Sequence, residues 1–442
     1  MAVVDSPIDT SRSVDGTLGR PRPAVGPDSA TRGDMKAFFQ DISLSAVVAG
    51  FIATVISYAG PLVIIFQVAQ AADLPHAVLS SWVWAISMGS GVLGIVLSLR
   101  YKVPIVIAWN AAGSALLISL LPGMSMGEAV GAYLISSAII VLIGISGTFD
   151  RIVSKLPSAI AAAMLAGILF SFGTGLFVSL QDQPALVLAM FITYLLGKRL
   201  APRYAVLAVL VVGVSIAMAL GELQSEALVV GLAVPVWISP EFSWQVTLNV
   251  ALPLLMLALT GQFVPGVAVL RNDGYDTPAS PLLSSTGLGS LLLAPFGSHG
   301  LTLAAITAAI CTGREAHEDP AKRYIAGVSG GVVYLILGLF GATLVSVFTA
   351  FPAALIAALA GLALLAAIAS SLQGAMAVPQ DREAALITFL VTASGMSFLG
   401  LSAAFWGLIF GVAAHLLLGL RKPAPLPQSQ PSTLESGQPV SR

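Results

Sequence analysis

Residues 294–313 read APFGSHGLTLAAITAAICTG, from Ala294 to Gly313. The stretch is apolar enough for a membrane, yet it opens with Pro295, Gly297, Ser298, His299, Gly300 and Thr302, a run that breaks helices. In hydrocarbon each unpaired backbone group costs several kcal/mol. Irregular chain at membrane depth therefore survives only where it lines a cavity or lies inside the protein. The stretch reads as a broken membrane helix and as the first place to look for a substrate. Its only side chain that titrates near neutral pH is His299.

The composition around it agrees. Of 442 residues 57% are hydrophobic and 9% charged, against roughly 25% charged in soluble domains. Apolar runs near twenty residues recur from Ser43 to Leu420 without the alternation that barrel strands need, so the fold class is an all-α polytopic membrane protein. A net charge of -1 gives no basis for a nucleic-acid partner. The single cysteine, Cys311, excludes an internal disulfide. Residues 1–35 and 421–442 are polar and rich in Pro, Ser and Gly or Gln. Both read as disordered cytoplasmic tails, and no signal peptide is visible in the first.

Apolar runs and turn signals give fourteen spans: 43–71, 77–99, 103–121, 126–146, 158–179, 184–197, 204–221, 244–270, 281–295, 299–312, 323–348, 352–372, 383–398 and 402–420. Fusing 281–295 with 299–312 into a re-entrant hairpin would leave twelve. Lys and Arg fall in alternate connections: Lys36, Arg100 and Lys102, Arg151 and Lys155, Lys198 with Arg199 and Arg203, Arg271, Arg314 with Lys322 and Arg323, Arg382, and Arg421 with Lys422. The positive-inside rule makes these cytoplasmic and puts both termini inside. The outer linker, residues 222–242, separates a first seven-span repeat over 36–221 from a second over 243–420. Seven is odd, so the halves are inverted with respect to each other. A faint likeness between Leu156–Gly167 and Phe351–Gly361, each the fifth span of its half, fits that arrangement.

The third span of each half is broken. Val103-Pro-Ile-Val-Ile-Ala-Trp-Asn-Ala-Ala-Gly-Ser114 is irregular through Trp109, Asn110 and Gly113, then helical to Leu121. Counting back from Arg314, a second half-helix runs from Thr302 to Thr312. Each covers about 16 Å, half of a bilayer core of about 30 Å. Two half-helices meeting N-end to N-end offer unpaired N–H groups and partial positive charge, an anion-binding arrangement. No carboxylate lies plainly mid-span: Glu128 comes nearest, and Ser125-Met-Gly-Glu128 matches a capping box. A cation or neutral-base carrier usually needs an intramembrane acid, so both are disfavoured. No metal cluster, cofactor motif, phosphate loop or nucleophile with a base appears at membrane depth, which argues against an enzyme.

Three stretches resemble the BenE-type benzoate/proton symporter family: Leu99-Arg-Tyr-Lys-Val-Pro-Ile-Val-Ile-Ala-Trp109, Leu259-Thr-Gly-Gln-Phe-Val-Pro-Gly-Val-Ala-Val-Leu-Arg-Asn-Asp-Gly-Tyr275 and Leu303-Ala-Ala-Ile-Thr-Ala-Ala-Ile-Cys-Thr-Gly313. The resemblance covers about residues 36–420. It implies a multi-pass importer of aromatic carboxylates in a bacterial inner (plasma) membrane, driven by protons. More distantly it implies the seven-plus-seven fold of nucleobase and anion transporters, with core and gate domains. There the substrate sits between the broken third and tenth spans and the eighth. The chain departs from the family pattern at Asn110-Ala111-Ala112, where Ser/Thr-Pro follows the Trp, and at Phe263 and Thr302, where the family has Asn.

The expected function is proton-coupled uptake of a small aromatic carboxylate such as benzoate by alternating access. The alternatives are a nucleobase or other small-anion transporter of the same fold, or an uncoupled anion channel. The candidate substrate-binding residues are Asn110, Gly113, Ser114, Thr260, Gln262, Phe263, Gly300, Thr302, Thr307 and Tyr58. Gln262 and Asn110 can hydrogen-bond a carboxylate, and Phe263 and Trp109 can stack on a ring. Ser114, Thr260, Thr302 and Thr307 offer hydroxyls that also bond readily to their own helix. Tyr58, three residues before Pro61, marks a kink in the first span. His299 is the candidate for proton coupling, with a polar position at the outer mouth as its plainer role. The expected partners are a small organic anion, protons, membrane lipid and, at most, a second copy of the chain in a homodimer.

Overall fold

The computed structural model describes residues 38–419 apart from 60, 154–156, 224–227 and 400. The tails expected at 1–35 and 421–442 lie outside the described residues. Residues 38–41, the described part of one compact unit, are helical; residues from 42 onward form a second unit and are mostly helical. Its elements begin with α1 (Leu44–Ala59), α2 (Pro61–Ala71), α3 (His76–Tyr101), β1 (Ile107–Trp109), α4 (Ala111–Leu120) and α5 (Met126–Ser146). Then follow α6 (Phe149–Val153), α7 (Ser158–Val178), α8 (Pro184–Leu200) and α9 (Ala205–Ala219). After the linker come α10 (Trp244–Asn272), α11 (Ala279–Leu293), β2 (Leu301–Leu303), α12 (Ile306–Thr312), α13 (Tyr324–Leu339) and α14 (Gly341–Thr349). The chain closes with α15 (Ala353–Met376), α16 (Arg382–Ala393), a hairpin of β3 (Ser397–Phe398) and β4 (Leu401–Ser402), and α17 (Ala403–Gly419).

Six helical stretches are long and apolar enough to cross a membrane: Leu44–Ala71, His76–Tyr101, Met126–Ser146, Ser158–Val178, Trp244–Asn272 and Ala353–Met376. A bent pair, Pro320–Leu339 with Gly341–Thr349 at 68°, makes a seventh. Large apolar side chains such as Leu142, Ile145, Val211 and Leu292 stand exposed on the helix surfaces. Lipid covers such faces at no cost, and the chain is a multi-pass membrane protein. Local chemistry sets the ends. Pro61 is the first described residue of α2, a position at which proline's missing N–H is tolerated. Ser125 and Glu128 form the expected capping box on α5, with Glu128 N to Ser125 Oγ at 3.1 Å and Ser125 N to Glu128 Oε2 at 3.0 Å.

α10 is continuous but contains two π-helical turns, Thr247–Ala251 and Leu259–Phe263. A π turn widens the helix and frees backbone groups, and it often marks a functional position. The extended linker is stitched down from Val229 to Ile238. Ser346 Oγ and Thr343 Oγ1 meet the backbone of Val229 and Gly231, Ala233 N donates to Leu339 O, Val236 N to Ser81 Oγ and Ile238 N to Pro295 O. Every one of these anchors is on α3, α13, α14 or the turn Ala294–Phe296.

At both expected breaks the chain turns extended before a short helix begins. β1 and β2 pair antiparallel, with Ala108 opposite Thr302 at the centre of the register. Asn110 N to Gly300 O at 3.0 Å and Ala304 N to Val106 O at 2.9 Å lengthen the ladder. This pairing corrects the expected second half-helix. Thr302 lies in a strand rather than at a helix start, and the helix begins only at Ile306. Strand pairing satisfies the backbone groups that a longer helix would otherwise have had to satisfy, so the helix is shorter than expected.

Candidate functional site

Antiparallel strands send the two half-helices away from their crossing in opposite directions. α4 spans about 15 Å, and its N-cap is Asn110, whose Oδ1 accepts from Gly113 N at 2.9 Å. Asn110 Nδ2 also reaches Leu254 O at 3.4 Å, so the carboxamide is occupied within the protein. Gly113 lies where a Cβ would stand 2.6 Å from Leu254 Cδ2 and 2.8 Å from Asn110 Nδ2, so a side chain there would have to displace both. The N-cap of α12 is Ala305, with no side-chain cap, and the Thr307 hydroxyl in its first turn has no partner among the described residues. Gly300 has φ of +134°, which an L side chain rarely adopts.

His299 is buried, at 3% exposure, behind this crossing rather than at an outer mouth. Trp82 Nε1 donates to its Nδ1 at 3.0 Å. Its Nε2 lies 3.0 Å from the Asn110 carbonyl oxygen and 2.8 Å from Ser114 Oγ. Both ring nitrogens are thus engaged. Tyr133 sets its ring edge-on at 6.3 Å. On the other side of β1, Tyr58, Trp109 and Tyr334 form an aromatic cluster, with Tyr58 to Trp109 centroids 5.6 Å apart. The Tyr58 hydroxyl bonds Ser87 Oγ, and Trp109 Nε1 is buried without an acceptor among the described residues.

The second π turn of α10 packs against β2 on one side and α7 on the other. Thr260 Oγ1 bonds its own helix at Met256 O, 2.7 Å away. Gln262 is half-buried and has no hydrogen-bond partner among the described residues, so its amide is free. Phe263 points the other way: it is fully buried in a cluster with Ile105, Ile107, Leu301 and Leu303, where the protein itself packs the ring. Thr302 is likewise fully buried, its Oγ1 3.4 Å from Ala108 O. The structure therefore brings Asn110, Gly113, Ser114, His299, Gly300 and Thr302 together at the crossing. Gln262 and Thr307 are without a hydrogen-bond partner among the described residues, as are the buried Trp109 Nε1 and the buried Tyr133 and Ser298 hydroxyls at the crossing.

A cavity of about 570 Å³ lies between α4, α5 and α10 on one side and α7, α16 and the β3–β4 hairpin on the other. Its lining includes Leu116, Glu128, Ser171, Asn249, Thr392 and Ser402, and none of the candidate residues. Asn249 Oδ1 accepts from Ser402 N at 2.7 Å across its edge. Sequence reading missed three residues. Trp82 and Tyr133 are aromatic residues inside apolar helices, where packing is the ordinary role and nothing local marks a polar contact. Arg323, read as a surface charge, is buried and caps α12: its guanidinium donates to the carbonyls of Thr312 and His317, each at 2.7 Å, and of Glu318 at 3.3 Å. An arginine there satisfies helix-end carbonyls and complements the dipole.

Paired broken elements inside a helical membrane protein are an arrangement that recurs in transporters. Among solved structures the chain resembles SLC26A9, at 14% identity and a TM-score of 0.57 over 90% of this chain and 73% of that one. It also resembles the transmembrane domain of a cyanobacterial bicarbonate transporter, BicA, at 15% identity and a TM-score of 0.53 over 86% and 98%. At these identities the likeness concerns the fold alone. The family described as benzoate membrane transport protein, BenE, matches residues 40–417, and the chain belongs to it. The benzoate membrane transport protein of Acinetobacter baylyi is 49% identical over 384 residues, 87% of this chain and 98% of that protein. The inner membrane protein YdcO of Escherichia coli is 42% identical over 374 residues, 85% and 96% of the two.

Proposed function

We propose that the chain imports benzoate, or a closely related aromatic carboxylate, across a bacterial inner membrane together with protons by alternating access. The family and its 49% identical relative support the substrate class. The observation that carries the binding mode is Gln262: an amide without a partner among the described residues, on a π turn that packs against β2 and α7. It donates to the substrate carboxylate, with the Thr307 hydroxyl as a second group.

Fourteen spans in two inverted halves fit the packing. α3 packs on α13 as α11 packs on α5, and α8 packs on α9 as α16 packs on α17; α7 meets α15 and β1 meets β2. Exchanging the halves, 36–221 for 243–420, maps this set of contacts onto itself. α1–α5 with α10–α14 then make the core and the remaining helices the gate, with both termini cytoplasmic. The substrate binds as the carboxylate, takes up its proton in the outward-open site, and crosses as the neutral acid. His299 serves coupling only if Trp82 first releases its Nδ1.

Uptake of labelled benzoate by proteoliposomes tests this. Accumulation should appear when the outside is made acidic and vanish with a protonophore. Flux indifferent to the gradient would mean an uncoupled anion channel, and uptake of a different acid alone would replace benzoate as the substrate.

A further inference from the structure

We propose that Trp82 and His299 form an uncharged clasp that positions the first turn of α4, so that His299 acts as a positioning residue rather than a proton carrier. An indole N–H can only donate, so the His299 Nδ1 it meets at 3.0 Å is an acceptor and carries no proton. The ring's one N–H is then on Nε2. There it faces the Asn110 carbonyl at 3.0 Å, which can only accept. Ser114 completes the arrangement: its Oγ lies 2.8 Å from Nε2 and donates to the same carbonyl at 3.2 Å. Adding a proton would set an Nδ1–H against the Trp82 N–H, donor against donor, in a buried place.

The clasp reaches across the chain's two halves. Asn110 is the N-cap of α4, and its N–H and C=O are held by Gly300 and His299, both preceding β2 in the second half. Trp82, on α3, holds the histidine from behind. The titratable side chain set against the ring is Tyr133 on α5, whose buried hydroxyl has no partner among the described residues. α3 and α4 bring Trp82, Ser114 and Asn110 to the ring, none of them charged. Ser298, beside His299 in the chain, adds one further buried hydroxyl. Glu128, the acid of α5, is held in its capping box. Among the described residues none of these groups offers an imidazolium a counter-charge.

The functional readout rests on the transport reading, and the test uses the full chain in proteoliposomes with His299→Gln, His299→Leu and Trp82→Phe. Glutamine supplies one donor and one acceptor without charge. His299→Gln should keep KM within about twofold of the parent, with the same pH profile and full gradient-driven accumulation. His299→Leu and Trp82→Phe should each raise KM about tenfold, the equivalent of one buried hydrogen bond. Their combination should be scarcely worse than His299→Leu alone. If His299→Gln still exchanges substrate but loses accumulation or shifts the pH profile, the histidine carries the proton and the clasp is overturned. Additive effects of Trp82→Phe and His299→Leu would overturn the pairing. Should His299→Leu not fold, the cycle is run with Trp82→Phe and His299→Ala, which likewise removes the acceptor for Trp82. Should the parent not carry benzoate, the same non-additivity is read from melting temperatures in detergent, which separates failure of the substrate from failure of the clasp.

Discussion

Replacing Gln262 with leucine should damage binding and spare the fold. The side chain is half-buried and gives no hydrogen bond to any described residue, so its loss leaves no internal group unsatisfied. The stability change should stay within about 0.5 kcal/mol, as for substitutions away from packing and polar networks. A hydrogen bond to a carboxylate is worth about 1.5–3 kcal/mol, which converts to a rise in KM of about tenfold to about 150-fold. Uptake kinetics in proteoliposomes supply KM, and melting in detergent with and without benzoate supplies stability and ligand protection separately. Gln262→Glu should be worse, because it sets a like charge against the substrate. An unchanged KM in the leucine variant would refute the assignment. So would a melting temperature depressed by several degrees without ligand, since the amide would then have an internal role.

Other substitutions probe the crossing and its supports. Asn110→Ala removes the α4 cap and its bond to Gly113 N, and should cost about 1 kcal/mol of stability by thermal unfolding. Gly113→Val drives a side chain into Leu254 and should destabilise by about 1–3 kcal/mol, with loss of uptake in parallel. Arg323→Met strips three carbonyl oxygens of their donor and should lower stability by about 3 kcal/mol. Arg323→Lys should recover only part of it, because one ammonium cannot span the three acceptors.

The membrane class and the places where helices fail were legible, because Pro295, Gly297 and Gly300 in one stretch and Asn110 with Gly113 in the other are local signals. The strands were not. Ile107–Trp109 and Leu301–Leu303 are three residues each, and what makes them strands is a partner almost two hundred residues away in sequence. The same distance hid His299: its neighbours in sequence suggest an exposed loop, while Trp82 and Asn110 draw it inside. Phe263 and Gln262 are adjacent, and only the width of a π turn and the position of β2 decide that the ring packs inward and the amide stays free. Arg323 illustrates the opposite error, since a cytoplasmic charge by the positive-inside rule is also a buried cap.

The ladder between β1 and β2 also constrains how the protein is made. During synthesis Ile107–Trp109 enters the bilayer long before Leu301–Leu303 exists, and its backbone N–H and C=O groups have no lasting partner in the interval. The first half of the chain is therefore an incomplete product in lipid, dependent on water, on the insertion machinery or on a transient helix until the second half arrives. Expressed alone, it should be short-lived, and supplying the other half as a separate polypeptide should extend its lifetime by completing the same ladder.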